Sequence, residues 1–131
     1  MTIATAPVSV RMTLAEVRAL ARRVLLQVGL SGDHAHAVAE TMVAGERDGC
    51  TSHGLYRLLV AAKSVRAGTV VPDAMPLLSE PARALVRVDG GGGFAQLALE
   101  TGRAMLVEKA RRYGIAALAL NHVVHFAALW P

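Results

Sequence analysis

Ser52-His53-Gly54-Leu55-Tyr56-Arg57 sets a hydroxyl, an imidazole and a guanidinium within six residues, close enough for one small anion to meet all three. An imidazole is the side chain best suited to give up a proton near neutral pH, and a guanidinium clamps a carboxylate through two parallel hydrogen bonds. If the chain is helical from Leu55 onward, His53 and Arg57 stand four residues apart and share a face. That arrangement suits proton donation beside a carboxylate anchor. A plainer reading fits the same residues: His53 as polar loop surface, and Arg57 paired with Glu46 or Asp48.

A second stretch, Asn121-His122-Val123-Val124-His125-Phe126-Ala127-Ala128-Leu129, follows the apolar run at 115–120. In α/β proteins, ligands gather at the carboxyl ends of parallel strands, where the next helix N-terminus offers N–H groups. His125 either meets such a ligand or caps that helix while Phe126 packs inside, and spacing leaves both open. The glycines at 90–93, with Ala95, formally fit the G-x-G-x-x-A dinucleotide pattern. The acidic residue wanted about 20 positions on is absent, since Asn121 stands after Leu120. A turn that lets backbone come close to something is the simpler expectation. Cys50 and His53 have C-x-x-H spacing, but zinc needs three or four ligands. His34 and His36 lie two apart near a helix start, so they point differently and are expected in solvent; no metal is expected. Cys50 as a nucleophile has no evident base beyond His53.

The frame for these side chains is readable from periodicity. Thr13-Leu14-Ala15-Glu16 is a capping box, after which Leu14, Val17, Ala21, Val24, Leu25 and Val28 recur at helical spacing up to Gly29. Ser31 opens a second helix, with Asp33 in its first turn and Ala37, Val38, Thr41, Met42 and Ala44 on its apolar side; it should stop near Asp48-Gly49. A third runs over 55–67 and closes at Gly68. The segment 72–81, with three prolines, is expected to be a connector. A strand follows at 84–88, then the glycines, a helix over 94–113 stopped by Gly114, and a strand over 115–120 buried on both faces. Strand, helix, strand predicts adjacent parallel strands joined by a right-handed crossover. Two parallel strands are not a stable sheet, so other chains or further sequence would have to complete it. The class is therefore α/β, with N-terminal helices followed by a βαβ unit.

Composition narrows the function. The chain has 131 residues, 53% apolar and 18% charged, enough for one packed domain behind a flexible tail at 1–12. Its net charge of +4 comes from scattered arginines, with 4% aromatic residues, which does not resemble a nucleic-acid surface. Residues 113–131 carry no formal charge, yet Asn121, His122 and His125 near their middle argue against a membrane span. A single cysteine, Cys50, is compatible with a reducing cytoplasm.

Three motifs occur in order: Asp48-Gly49-Cys50-Thr51-Ser52-His53-Gly54-Leu55-Tyr56-Arg57; Val88-Asp89-Gly90 with Gly93-Phe94-Ala95-Gln96; and His125-Phe126-Ala127-Ala128-Leu129-Trp130-Pro131. Together they resemble the malate/L-lactate dehydrogenase family of NAD(P)-dependent oxidoreductases, whose fold is not of Rossmann type. Within it, the second and third motifs are most similar to reductases of the cyclic imino acids Δ1-piperideine-2-carboxylate and Δ1-pyrroline-2-carboxylate. The resemblance implies that Ser52 is a relay group, His53 the proton donor and Arg57 the anchor of the substrate carboxylate. It also implies that His125, Phe126, Ala127, Ala128 and Leu129 line NADPH or NADH. Family members are homodimers well over twice this length. Residues 13–131 are then expected to be the N-terminal portion of the oxidoreductase domain, inactive alone. A malate- or lactate-type 2-hydroxyacid dehydrogenase, or a noncatalytic remnant that docks onto a partner, are the alternatives. The Asn121-His122-Val123-Val124 stretch departs from the family's usual Ser or Gly there.

Overall fold

The computed structural model describes residues 9–125. The tail expected at 1–12 lies outside them except for 9–12, and so does the last motif from Phe126 onward. Helices α1 (Leu14–Gln27), α2 (Gly32–Arg47) and α3 (Tyr56–Arg66) come first. Strands β1 (Leu77–Ala82) and β2 (Leu85–Asp89), helix α4 (Ala95–Tyr113) and strand β3 (Ala117–Asn121) follow.

The helix boundaries follow from caps. Thr13 and Glu16 exchange side-chain and backbone hydrogen bonds, completing the capping box of α1. The Ser31 hydroxyl accepts from the His34 N–H at the start of α2, with Asp33 in the first turn where the helix dipole favours an anion. Gly114 ends α4 in the left-handed conformation (φ 80°) expected of its position. Between α1 and α2 the helical layer buries Ala21, Leu25, Val38 and Met42, with Leu58 and Ala61 of α3 closing the cluster.

β2 and β3 pair in parallel in one register from Leu85↔Ala117 to Asp89↔Asn121, so the expected βαβ unit is present. Two expectations are corrected. The segment 72–81 is more than a connector, because β1 pairs antiparallel with β2 and makes the sheet three-stranded, in the order β1-β2-β3. Pro81 is tolerated because β1 is an edge and the register shifts between Ser79 and Ala82, beside it. The run at 115–120 is not buried on both faces: β3 begins at Ala117, Ile115 is 77% exposed, and Leu118 and Leu120 are only half-covered. Helix α4 covers one side of β3. The smaller core of this half is Val86, Val88 and Ala98, with Met105, Leu118, Leu120 and Val123 packed around it.

Lys109 is buried on α4 and donates to the Arg83 carbonyl at 2.9 Å while pairing with Glu80 at 2.9 Å, which ties the helix to the β1–β2 hairpin. Phe94 is fully buried in the helical core although it caps α4, so it belongs to both halves.

Candidate active site

Helix α2 ends at Arg47, and Gly49 (φ 70°) reverses the chain so that the next residues lie back against the helix. There Thr51–His53 form a single 3-10 turn, Gly54 and Leu55 follow, and α3 begins at Tyr56. His53 and Arg57 therefore do not share one continuous helix face. Backbone ties the anchor to the motif instead: Arg57 reaches back and donates its Nε–H to the Ser52 carbonyl at 2.8 Å.

The hydroxyl and imidazole meet as expected, with Ser52 Oγ 2.9 Å from His53 Nδ1. Cys50 Sγ also approaches Nδ1, at 3.5 Å, which makes the cysteine a flank of the imidazole. A ring nitrogen donates or accepts according to its tautomer: if the Ser52 hydroxyl donates to Nδ1, the neutral ring carries its proton on Nε2. Ser52 is exposed, while His53 and Arg57 are half-buried, so the turn is both accessible and held.

What holds it comes from α2. The Cys50 N–H donates to the Gly45 carbonyl at 2.8 Å, and the Leu55 N–H donates to Glu46 Oε1 at 2.7 Å. Glu46 is thus engaged by backbone rather than by Arg57, which removes it from the plainer pairing considered above. A Cβ on Gly54 would sit 2.0 Å from Glu46 Oε1, so that glycine makes room for Glu46 and not for a ligand beside His53.

The glycine turn at 90–93 also has a definite role. Its N–H groups are consumed in turn by the Asn121 carbonyl, Asp89 Oδ1, the His122 carbonyl and the Gly90 carbonyl. The Ala95 N–H at the start of α4 goes to the Val124 carbonyl. The turn therefore has no N–H left to cradle a pyrophosphate, and the dinucleotide pattern is coincidental here. The close approach it permits is internal: a Cβ on Gly93 would lie 2.6 Å from the His34 ring.

That histidine is a correction. His36 is exposed as expected, but His34 is fully buried, with Nε2 hydrogen-bonded to the Ala74 carbonyl at 2.9 Å and Nδ1 without a partner. Burial holds its pKa below the ordinary value, against the opposing pull of the Ala74 carbonyl, Asp33 and Asp73. Sequence spacing placed it in the first turn of α2. Only the return of the 70–76 segment and the glycine turn over it explains its burial.

At the carboxyl ends of β2 and β3, Asp89 Oδ2 meets His122 Nδ1 at 2.8 Å. The Gly91 N–H, and after it His122, hold the Asp89 carboxyl below its ordinary range. His122 adopts φ 47°, left-handed backbone that is unusual for a residue with a side chain. Beyond it Val124 bridges to Phe94 in parallel, and His125 follows, exposed. Phe126, Ala127, Ala128 and Leu129 of the expected cofactor strip lie outside the described residues. Among the described residues no three His, Cys, Asp or Glu side chains gather as a metal site.

The malate/L-lactate dehydrogenase family model matches residues 12–131. A Δ1-pyrroline-2-carboxylate/Δ1-piperideine-2-carboxylate reductase of Pseudomonas aeruginosa is 54% identical over 121 residues, covering 92% of this chain and 36% of the relative. Δ1-Pyrroline-2-carboxylate reductase 1 of Burkholderia ambifaria is 50% identical over 120 residues, 92% of this chain and 35% of the relative. Among solved structures, Δ1-piperideine-2-carboxylate reductase of Pseudomonas syringae superposes with a TM-score of 0.90 at 38% identity, covering 94% of this chain and 37% of that one. The chain spans about a third of the length of the curated relatives it matches. On the family match and the shared fold, the chain belongs to the malate/L-lactate dehydrogenase family.

Proposed function

We propose that this chain carries the proton-donating and carboxylate-anchoring part of an NAD(P)H-dependent reductase of cyclic imino acids, Δ1-pyrroline-2-carboxylate or Δ1-piperideine-2-carboxylate. The observation that carries this reading is Ser52, His53 and Arg57 gathered on one turn braced by α2. The names of the relatives supply the substrate class.

Reduction of a C=N bond adds hydride to carbon and a proton to nitrogen. A bound nicotinamide supplies the hydride. As His53 gives its Nε2 proton to the ring nitrogen, its Nδ1 takes the proton of the Ser52 hydroxyl, which solvent replaces at the exposed serine, so Ser52 both holds the imidazole in place and relays a proton to it. The terminal nitrogens of Arg57 hold the substrate carboxylate in a fork, while its Nε stays anchored on the Ser52 carbonyl, fixing the distance between acid and anchor. The glycine turn offers no phosphate cradle, because its N–H groups are spent internally. Cofactor contacts are therefore assigned to the strip His125, Phe126, Ala127, Ala128 and Leu129 and to the remaining length that the relatives possess. NADPH rather than NADH, a homodimer and a cytoplasmic setting complete the proposal. Among the described residues no helix is long and apolar enough to cross a membrane.

The test is NADPH oxidation with Δ1-piperideine-2-carboxylate. It is run on this chain alone and on the chain joined at Pro131 to the remainder of the Pseudomonas aeruginosa relative. The joined protein is expected to be active and the chain alone inactive. In the joined protein His53→Ala should lower kcat by roughly 10²–10⁴-fold. Arg57→Lys should raise KM by about tenfold or more through loss of the fork. Normal turnover in His53→Ala would remove the assigned role. Faster reduction of pyruvate or oxaloacetate than of the cyclic imines would move the substrate to the 2-oxoacids.

A further inference from the structure

We propose that Glu46 is the positioning residue of this site, holding the backbone between the proton donor and the carboxylate anchor; this rests on the roles given above to His53 and Arg57. Three observations converge on it. The N-terminus of α3 lacks its own cap: Leu55 supplies no side-chain hydrogen bond and the first turn has no acidic residue. Glu46, at the far end of α2, supplies both needs, since Oε1 accepts the Leu55 N–H at 2.7 Å and the carboxylate faces the positive end of the α3 dipole.

Gly54 is explained by the same carboxylate. Its φ of −83° lies outside the left-handed region that favours glycine. A Cβ would instead fall 2.0 Å from Oε1 and 2.5 Å from Cδ of Glu46. The neighbouring Gly45 completes the seat: a Cβ there would lie 2.7 Å from the His53 carbonyl carbon and 2.8 Å from the Gly54 nitrogen. Helix α2 therefore touches the 53–54 backbone directly at Gly45 and clasps the 54–55 backbone through Glu46. His53 stands on one side of that clasp and Arg57 on the other, with the Arg57 N–H bonded to the Gly54 carbonyl at 3.0 Å. Glu46 acts on the reaction only through where it places these two.

The experiment is amide hydrogen exchange by NMR on the 131-residue chain, without substrate. Glu46→Ala should speed exchange at Leu55, Arg57 and Leu58 by about tenfold or more, as expected for loss of one charge-assisted hydrogen bond, while Val38 in α2 is unchanged. Glu46→Gln, whose amide oxygen can still accept, should remain within about threefold of the native rates. Unchanged protection at Leu55 in Glu46→Ala would overturn the proposal. Because Glu46→Ala could fail to fold, Gly54→Ala provides an independent arm: it should loosen the same amides in the native background. Where the double variant folds, it should be no looser than Glu46→Ala alone. Additive effects in that pair, or a silent Gly54→Ala, would also overturn it.

In the joined protein, Glu46→Ala should lower kcat and raise KM for the imino acid together, with the KM for NADPH unmoved and with recovery in Glu46→Gln. A general loss of structure would move all three constants. The exchange result stands apart from activity. If the amides respond as described and no imine is reduced, the positioning role holds and the functional reading fails.

Discussion

The helical half and the sheet half meet along the glycine turn, and they differ in how large a core each buries. The helical half buries Ala21, Leu25, Leu30, Val38, Ala39 and Met42 in one cluster that Val70 and Phe94 help to close, while Leu26, Leu59 and Val60 stay exposed on its outer side. Among the described residues the sheet half buries Val86, Val88 and Ala98 in its core cluster, and leaves β3 half-covered with Leu77, Leu99 and Ile115 exposed. The proposed proton donor and anchor sit on the enclosed half, on a turn fixed from behind by α2. The expected cofactor strip leaves from the open half. A group that must present a proton at a fixed place benefits from a rigid seat.

The largest break in this contrast is expected at Phe94, which starts α4 yet lies in the helical core. Phe94→Ala should cost about 3–5 kcal/mol in urea unfolding, because it empties a large buried volume where both halves meet. A loss below about 1 kcal/mol would mean that the halves are joined elsewhere. Next is Gly93→Ala. Its new methyl would press on the His34 ring at 2.6 Å and on Ala74 at 3.0 Å, and the ring is fully buried and tied to the Ala74 carbonyl. About 1–3 kcal/mol of destabilisation is expected by thermal unfolding.

Smaller, and dependent on pH, is the effect of His34 itself. Its folded pKa is held below the unfolded value of about 6.5, so the unfolded chain binds the extra proton first as pH falls. Stability is then full above about pH 6.5 and declines as pH drops from there towards the folded pKa. Urea unfolding at a series of pH values should show this decline, and His34→Gln should flatten it. An unchanged slope in the variant would place the acid sensitivity in the carboxylates.

How much of this was legible differs between the two halves for a physical reason. Caps and helical periodicity are local, so the capping box at Thr13, the Ser31 cap and the Gly114 stop could be read directly. The pairing of Ser52 with His53 is local too. Features that depend on the chain returning from elsewhere were not readable: the burial of His34 under Ala74 and Gly93, the engagement of Glu46 by the Leu55 N–H, and the Asp89–His122 pair. Strand β1 was hidden by Pro81 and the two prolines ahead of it, residues that mark an edge as well as a connector. The apolar residues at 115–120 predict a strand buried on both faces, but apolarity states a preference for cover and does not supply it.

The finest test of the contrast is Gly102→Ala in α4. Alanine in a helix interior is favoured over glycine by about 0.8–1.0 kcal/mol. Against this, the new Cβ would fall 2.6 Å from Leu118 Cδ1 and 3.0 Å from Val88 Cγ2. Leu118 is only half-buried, and its methyl is the far end of a flexible side chain, so it can turn towards the uncovered side of β3. The two effects should nearly cancel, leaving stability within about 1 kcal/mol of the native chain in the same unfolding assay. At Gly93 no such escape exists, because His34 is enclosed and hydrogen-bonded. A Gly102→Ala loss as large as that of Gly93→Ala would show that the sheet half is packed as rigidly as the helical half. The exposed side of β3 would then be a finished surface rather than one awaiting cover.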